Sequence, residues 1–357
     1  MANSIETPGP TFRPPEGEDK QDWGRLATHL AEHGFTLSLD PPPRQFVGGM
    51  GNLNFLLEMD RETAVLRRPP AGPIPPGAND MRREHRILSR LWQAFPLAPR
   101  SYHFCDDESV LGAPFFIMEY REGRCIYEGL PDDLAGQGGP ITEMLIGTLA
   151  ELHAVDTDAI GLGDFGRPEG FLGRAVEGWA KRCSLSLDDN PPPVADEIAN
   201  WLRGNLPPEQ PPSLLHNDYK LNNFLVDFDG FAPVALLDWD QGTRGDPLFD
   251  FGTLLSYWIA PDDPEAMQFM GQMPTGSNPS FPDRRTVVEL YGRLSGRDMS
   301  DILFHRVIGM FKLAVIFLQL YARHRRGDRL DGRLAELEGI GEDILDFTWE
   351  IAQTRAF

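Results

Sequence analysis

Cysteine is scarce in this chain. Cys105, Cys125 and Cys183 stand far apart among 357 residues. That spacing fits neither a disulfide framework nor a zinc-binding cysteine pattern, and buried free thiols in a reducing compartment are expected. Positive charge is short too: 33 Lys and Arg against 54 Asp and Glu give a net charge of −21. Nucleic acid and membrane surfaces are polyanionic, so neither is expected as a partner. The first residues, MANSIETPGPTFRPPEGEDK, lack a basic segment followed by an apolar one. No secretory leader is expected, and a cytoplasmic location is. The longest apolar stretch, 302–322, is broken by His305, Arg306 and Lys312 and reads as a buried helix instead of a membrane span. No G-x-x-x-x-G-K-[ST] sequence occurs, which excludes the P-loop nucleotide-binding class.

What is present suffices for two cores. Hydrophobic residues make up 41% of the chain, and 357 residues exceed one ordinary domain. Residues 1–20 are Pro-rich and polar and read as a flexible arm. RQFVGGMGNLNFLLEM and ETAVLRR, within 44–68, alternate as strands around a glycine-rich turn and an Asp60–Arg61 turn. Residues 80–93 place Ile87, Leu88, Leu91 and Trp92 on one helical face, and PFFIMEY at 114–120 reads as a buried strand. Beyond it the pattern turns helical: 142–155, 249–260, 302–324 and 331–353, with one hairpin, FLVDF and VALLDW, around Asp229–Gly230. The expected fold class is α+β with two lobes, a strand-rich N-lobe over 21–119 and a helix-rich C-lobe over 120–357.

Between apolar neighbours the chain reads LHNDYKLNN at 215–223, and DWD begins at 238. Polar groups set between buried strands need partners or a task. On a short loop His216, Asp218 and Asn223 can converge. A carboxylate can accept a hydroxyl proton, and an amide oxygen can ligate a hard cation. Asp238 adds a second hard oxygen. Mg²⁺ takes oxygen ligands, often one or two protein groups plus phosphates. Metal, base and phosphate clamp are the parts that phosphoryl transfer needs.

H-x-D-x-x-x-x-N followed by a strand-borne Asp resembles the catalytic and metal loops of the protein-kinase-like superfamily. Within it, DWDQGTRGDPLFDFG at 238–252, GTLAELHAVD at 147–156 and the H-N-D-Y-K run are similar to the aminoglycoside phosphotransferase family. VLRRPPAG and MRREHRIL resemble a subgroup of it, the kinase domains associated with acyl-CoA dehydrogenases. The resemblance covers about residues 40–330 and implies a two-lobe protein-kinase-like fold. It implies a small-molecule kinase that moves the γ-phosphoryl group of ATP (or GTP) to the hydroxyl of a small-molecule acceptor. Asp218 would be the catalytic base or orienter, and Asn223 and Asp238 would hold Mg²⁺. Gly48, Gly49, Gly51 and Asn52 would cover the phosphates. Arg67 would hold phosphate oxygens, paired with Glu84, and the hinge at Glu119 and Tyr120 would read the purine edge.

The chain departs from these patterns in two places. Gly51 stands where the family often has Ser, and Arg67 where most kinases have Lys. Arg remains charged and bidentate, so it can still grip phosphate. Alternation from Val65 turns Arg67 inward, and a one-residue change of register would turn Arg68 inward instead. Asn217 replaces the Arg that answers an activation-loop phosphate, and there is no room for an activation segment between Asp238 and GDP at 245–247. A protein kinase is therefore excluded. Some subgroup members are implicated in phosphorylating hydroxyacyl-CoA substrates, so the expected acceptor is a hydroxy acid or hydroxyacyl-CoA. The alternatives are an aminoglycoside-type antibiotic kinase and a catalytically idle kinase-fold protein that binds a nucleotide or metabolite.

Overall fold

The computed structural model describes residues 11–47, 51–70, 79–126, 129–187, 191–268, 278–327, 337 and 339–355. Gly48, Gly49 and most of the Pro-rich run at 69–77 lie outside the described residues. In chain order the elements are α1 (Trp23–Glu32), β1 (Leu37–Ser38), β2 (Arg44–Gln45), β3 (Leu53–Met59), β4 (Glu62–Arg68), α2 (Met81–Leu91), β5 (Ser101–Cys105), α3 (Glu108–Leu111), β6 (Phe115–Glu119) and β7 (Arg124–Cys125). Then come α4 (Gly138–His153), α5 (Phe171–Ser186), α6 (Pro193–Gly204), β8 (Ser213–Leu215), β9 (Phe224–Val226), β10 (Pro233–Leu236) and β11 (Thr243–Gly245). The chain closes with α7 (Pro247–Ser256), α8 (Glu265–Gln268), α9 (Arg284–Ser295), α10 (Ile302–Arg325) and α11 (Ile340–Thr354).

These elements form two compact units, neither of them a single run of sequence. One holds residues up to Cys125 together with 158–163 and 223–242; the other holds 126–157, 164–222 and 243–357. The strands-then-helices order makes the fold α+β. The first unit is built on an antiparallel sheet of order β1–β3–β4–β6–β5, with β2 also on β3. Asp60 and Arg61 both take positive φ, 53° and 69°, as a two-residue turn matched to strand twist requires. The core under the sheet takes Phe55, Leu57, Leu66, Phe115 and Ile117 from the strands and Leu26 and Leu30 from α1. Each such side chain contributes about 1.5–3 kcal/mol when fully buried.

β4 is buried on both faces, so its last two residues point apart and both are covered: Arg67 is 8% exposed and Arg68 6%. Arg68 donates to the carbonyls of Pro69 and Leu111 and to Gln21. Residues 11–19, part of the segment expected to be a loose arm, are instead laid along β2. Phe12 bridges to Phe46, the Arg13 amide donates to the Gln45 carbonyl at 2.9 Å, and Arg44 donates to Glu18 at 2.8 Å. An edge strand offers unpaired backbone groups, and this segment takes some of them.

The second unit is helical. α10 is long and apolar enough to cross a membrane by length and composition, and it is largely buried within this unit, as the sequence reading expects. Cys105 and Cys183 are buried, Cys125 is half-buried, and none of the three is in a disulfide. α7 and α10 cross closely at two glycines. A Cβ on Gly252 would lie 2.2 Å from the His305 carbonyl oxygen, and one on Gly309 2.3 Å from that of Gly252. Backbone stands opposite backbone there, so no side chain can yield. Gly252→Ala is expected to cost about 1–3 kcal/mol through overpacking. Chemical denaturation checks this, and an unchanged midpoint would contradict the close crossing.

Candidate active site

In the strand-rich unit a buried guanidinium sits among carboxylates. Arg67 donates from Nε to Glu84 Oε2 at 2.9 Å, from Nη1 to Asn54 Oδ1 at 3.3 Å, and from Nη2 to Asp238 Oδ1. Glu84 is 1% exposed and belongs to the covered stripe of α2 with Met81, Leu88 and Leu91. Its second oxygen accepts the Trp239 amide at 3.2 Å, so one carboxylate ties α2 to β4 and to the segment after β10. Burial opposes the Arg67 charge, but Glu84, Asp238 and Asp240 outweigh it and hold the guanidinium protonated above its ordinary range. Burial, with Asp238 and Asp240 adding, raises the Glu84 carboxyl above the usual carboxylate range, while Arg67 pulls it down. The expected pairing of Arg67 with Glu84 is thus formed, and Arg68 lies on the opposite face.

Asp238 and Asn223 stand at one end of a hairpin. Leu236 pairs with Phe224, and the Leu237 amide donates to the Asn223 carbonyl at 2.8 Å, which leaves Asp238 one residue beyond. Asp238 has a positive φ of 69°, and its side chain remains 39% exposed although Oδ1 meets Arg67. Glu84, Asp238 and Asp240 bring three carboxylates around that one guanidinium. The Asp238 carboxylate and the Asn223 amide, carried at one hairpin end, are hard oxygen donors of the kind Mg²⁺ takes.

The described part of the glycine-rich turn is fastened to the same cluster. Asn79 donates from Nδ2 to the Gly51 carbonyl at 2.9 Å and to Asn52 Oδ1 at 2.8 Å, and its amide donates to Asp240 Oδ2 at 3.3 Å. A Cβ on Gly51 would lie 3.2 Å from Asn79 Nδ2, so a serine here would press on that bridge. The departure at Gly51 therefore has a physical companion in Asn79. At the strand end, the Glu119 amide donates to the Arg100 carbonyl at 2.8 Å. The Glu119 carboxylate accepts the Arg100 amide at 3.0 Å and Arg121 at 2.9 Å. Tyr120 stacks on Phe46, with ring centroids 6.5 Å apart.

In the helical unit Asp218 sits on a loop fixed from several sides. Asp250, fully buried, accepts the amides of His216 at 2.6 Å and Asn217 at 2.7 Å. It also meets His153 Nε2 at 3.4 Å. His216 Nδ1 accepts the Asp218 amide at 3.3 Å, so this histidine shapes the loop. The Tyr219 hydroxyl donates to the Leu145 carbonyl of α4 at 2.7 Å. Asn217 takes a positive φ of 64°, the bend that turns the next residue out of the strand line.

Two lysines surround the Asp218 carboxylate. Lys220 Nζ donates to both oxygens, at 2.8 and 2.9 Å. Lys312, on α10, is 2% exposed and donates to the Asn217 carbonyl and to Thr253 Oγ1 at 3.4 Å. Burial works to raise the Asp218 carboxyl, but Lys220 and then Lys312 outweigh it and hold it below the usual carboxylate range. Burial pulls the Lys312 ammonium down to about 8, against Asp218 and Asp250. The sequence reading assigns no role to either lysine. The signal for Lys312 was a lone charge inside an apolar helix, since a buried charge needs a partner.

Residues 43–281 match the model of the phosphotransferase enzyme family, and the chain belongs to that family. Acyl-CoA dehydrogenase family member 11 of Gallus gallus is 30% identical over 297 residues. The match takes in 80% of this chain but 37% of that protein, so the chain spans little more than a third of this relative's length. Among solved structures, a Ralstonia eutropha JMP134 protein named for the aminoglycoside phosphotransferases superposes with a TM-score of 0.77 at 29% identity, over 94% of this chain and 99% of that one. A thermostable mutant of aminoglycoside phosphotransferase APH(4)-Ia, solved with ADP and hygromycin B, gives a TM-score of 0.54 at 16% identity, over 90% of this chain and 98% of that one. At that identity it shows the shared kinase-like fold alone.

Lys220 supplies the first opposing charge on Asp218, so its removal has a defined sign. A lowered carboxyl stays ionised until pH falls through its depressed pKa, and losing the cation moves that fall to higher pH. Lys220→Met is expected to shift the acidic limb of the pH profile for phosphoryl transfer upward. An unmoved limb would remove Lys220 from control of Asp218.

Proposed function

We propose that this chain transfers the γ-phosphoryl group of ATP or GTP to a hydroxyl of a small molecule. The observation that carries the reading is the buried Arg67 guanidinium, shared between Glu84 and the half-exposed Asp238. Nucleotide phosphates would displace Asp238 from Nη2, while Glu84 keeps Nε and the orientation. Asp238, so released, would join Asn223 in holding Mg²⁺. When bound, the ion would neutralise phosphate charge. Asp218 would accept the proton of the acceptor hydroxyl as its oxygen bonds to the γ-phosphorus and the bond to the β-phosphate breaks. Lys220 and Lys312 would keep that carboxylate ionised, and Asp250 would keep its loop in place.

The acceptor we propose is a hydroxy acid or its CoA thioester. Support comes from the VLRRPPAG and MRREHRIL segments and from the curated relative, whose name is that of an acyl-CoA dehydrogenase family member. The Ralstonia protein's name favours a second reading, an aminoglycoside acceptor, which the net charge of −21 would attract. A catalytically idle nucleotide-binding protein is the third reading, motivated by Gly51 and Arg67. The half-buried Lys220 and the buried Lys312 that hold Asp218 ionised count against it, because a binding module has no use for a carboxylate kept in that way.

The test is ADP release across hydroxy acids, hydroxyacyl-CoAs and aminoglycosides at equal concentration. Turnover on the first two classes is expected. Turnover on kanamycin-like compounds alone would reverse the ranking, and none on any acceptor would favour the idle reading. Asp218→Asn is expected to lower turnover about 10²–10⁴-fold, the usual worth of a general base, with nucleotide affinity kept. Near wild-type turnover in that variant would remove Asp218 from the chemistry.

A further inference from the structure

Three imidazoles gather in the strand-rich unit outside the cluster described above. His29 lies in the last turn of α1, and His33 follows it by four positions as the residue capping that helix, so the two share one helical face. His103 comes from β5 and is 9% exposed. Ring centroids are 4.3 Å apart for His29 and His33, 5.1 Å for His29 and His103, and 4.9 Å for His33 and His103. One ring nitrogen from each lies within 4.8 Å of the other two. His29 Nε2 and His103 Nε2 face each other at 2.9 Å.

We propose that His29, His33 and His103 form a binding site for a divalent transition cation of the Zn²⁺ class, clipping α1 to the central sheet. Imidazole nitrogens select Zn²⁺ and its neighbours over Mg²⁺, which prefers oxygen. Tetrahedral ligands about 2.0–2.1 Å from zinc stand about 3.3–3.4 Å from one another. The observed separations, 2.9 Å for the facing pair and 4.8 Å at most, bracket that value, so small rotations of the rings suffice. The tautomer of His33 is already set. Its Nδ1 lies 2.8 Å from the His29 carbonyl, and a carbonyl only accepts, so Nδ1 carries the proton and Nε2 the free lone pair. Metal-binding histidines commonly donate their second nitrogen to such a partner. The rings of Phe35 and Phe115 stand beside His103, at 5.8 and 6.3 Å, and restrict its motion. His33 is exposed, so an ion can enter and water can take the fourth position.

The site does not depend on the phosphotransferase reading. His29 and His33 lie ahead of residues 43–281, which match the family, and none of the three touches the Arg67 cluster through a described contact. Its role is to hold the helix, not to act on substrate.

The test is calorimetric titration of tag-free protein with Zn²⁺, alongside thermal melting with and without it. Wild type is expected to bind one equivalent through this site and to melt at higher temperature with the ion. His33→Ala, an exposed change that spares the core, is expected to weaken binding about tenfold or more, since even outer-shell partners of a metal site carry that much, and to lose the melting shift. Asp238→Asn is expected to keep both, which separates the clip from the acidic cluster. Absence of Zn²⁺ binding in wild type, equal binding in His33→Ala, or loss of binding in Asp238→Asn would overturn the proposal.

Discussion

A guanidinium taken out of water must be answered by carboxylates, and Arg67 is the residue on which the strand-rich unit turns. The cost of burying an ion is several kcal/mol before pairing, so Glu84 has to lie on the covered face of α2 among Met81, Leu88 and Leu91. The same carboxylate reaches the Trp239 amide, and the left-handed bend at Asp238 delivers a second acid to the guanidinium. One charge thereby sets the register of a strand, the rotation of a helix and the path of the segment after β10. Part of the pairing is half-exposed at Asp238, which leaves that side open to exchange while the Glu84 side is fixed.

The helical unit meets a related demand with the opposite sign. Asp218 is the covered carboxylate, and Lys220 and Lys312 answer it. Lys312 can do so only because α10 packs tightly against α7 at Gly252 and Gly309. α7 also carries Asp250, whose two oxygens take the amides of His216 and Asn217. Helix packing, loop shape and the share of Lys312 in holding Asp218 ionised therefore meet at the same crossing.

Much of this was legible where the chemistry is local. The Asp60–Arg61 turn, the α2 stripe and the hairpin around Asp229–Gly230 follow from neighbours in sequence, and the spacing of Asp218, Asn223 and Asp238 carried the resemblance. Contacts between distant residues left weaker traces. Lys312 reaches the Asn217 carbonyl across 95 positions, and Asn79 meets Asp240 across 161. The sequence showed only a charge in an apolar helix and an asparagine after a Pro-rich run. His29 and His33 have helical spacing, but His103 is 74 positions from His29, so no local pattern joins the three. Composition misled over residues 11–19, because hydrogen bonds borrowed from an edge strand do not appear in composition.

The central claim is that nucleotide phosphates and a divalent cation share the Arg67–Asp238 cluster. Calorimetric titration of ATP into wild type and Arg67→Met, each with and without Mg²⁺, tests it most directly. The account predicts binding in wild type that strengthens markedly with Mg²⁺ and a large loss of affinity in the variant. Identical weak binding with and without the ion, or an Arg67→Met protein that binds as wild type does, would contradict it.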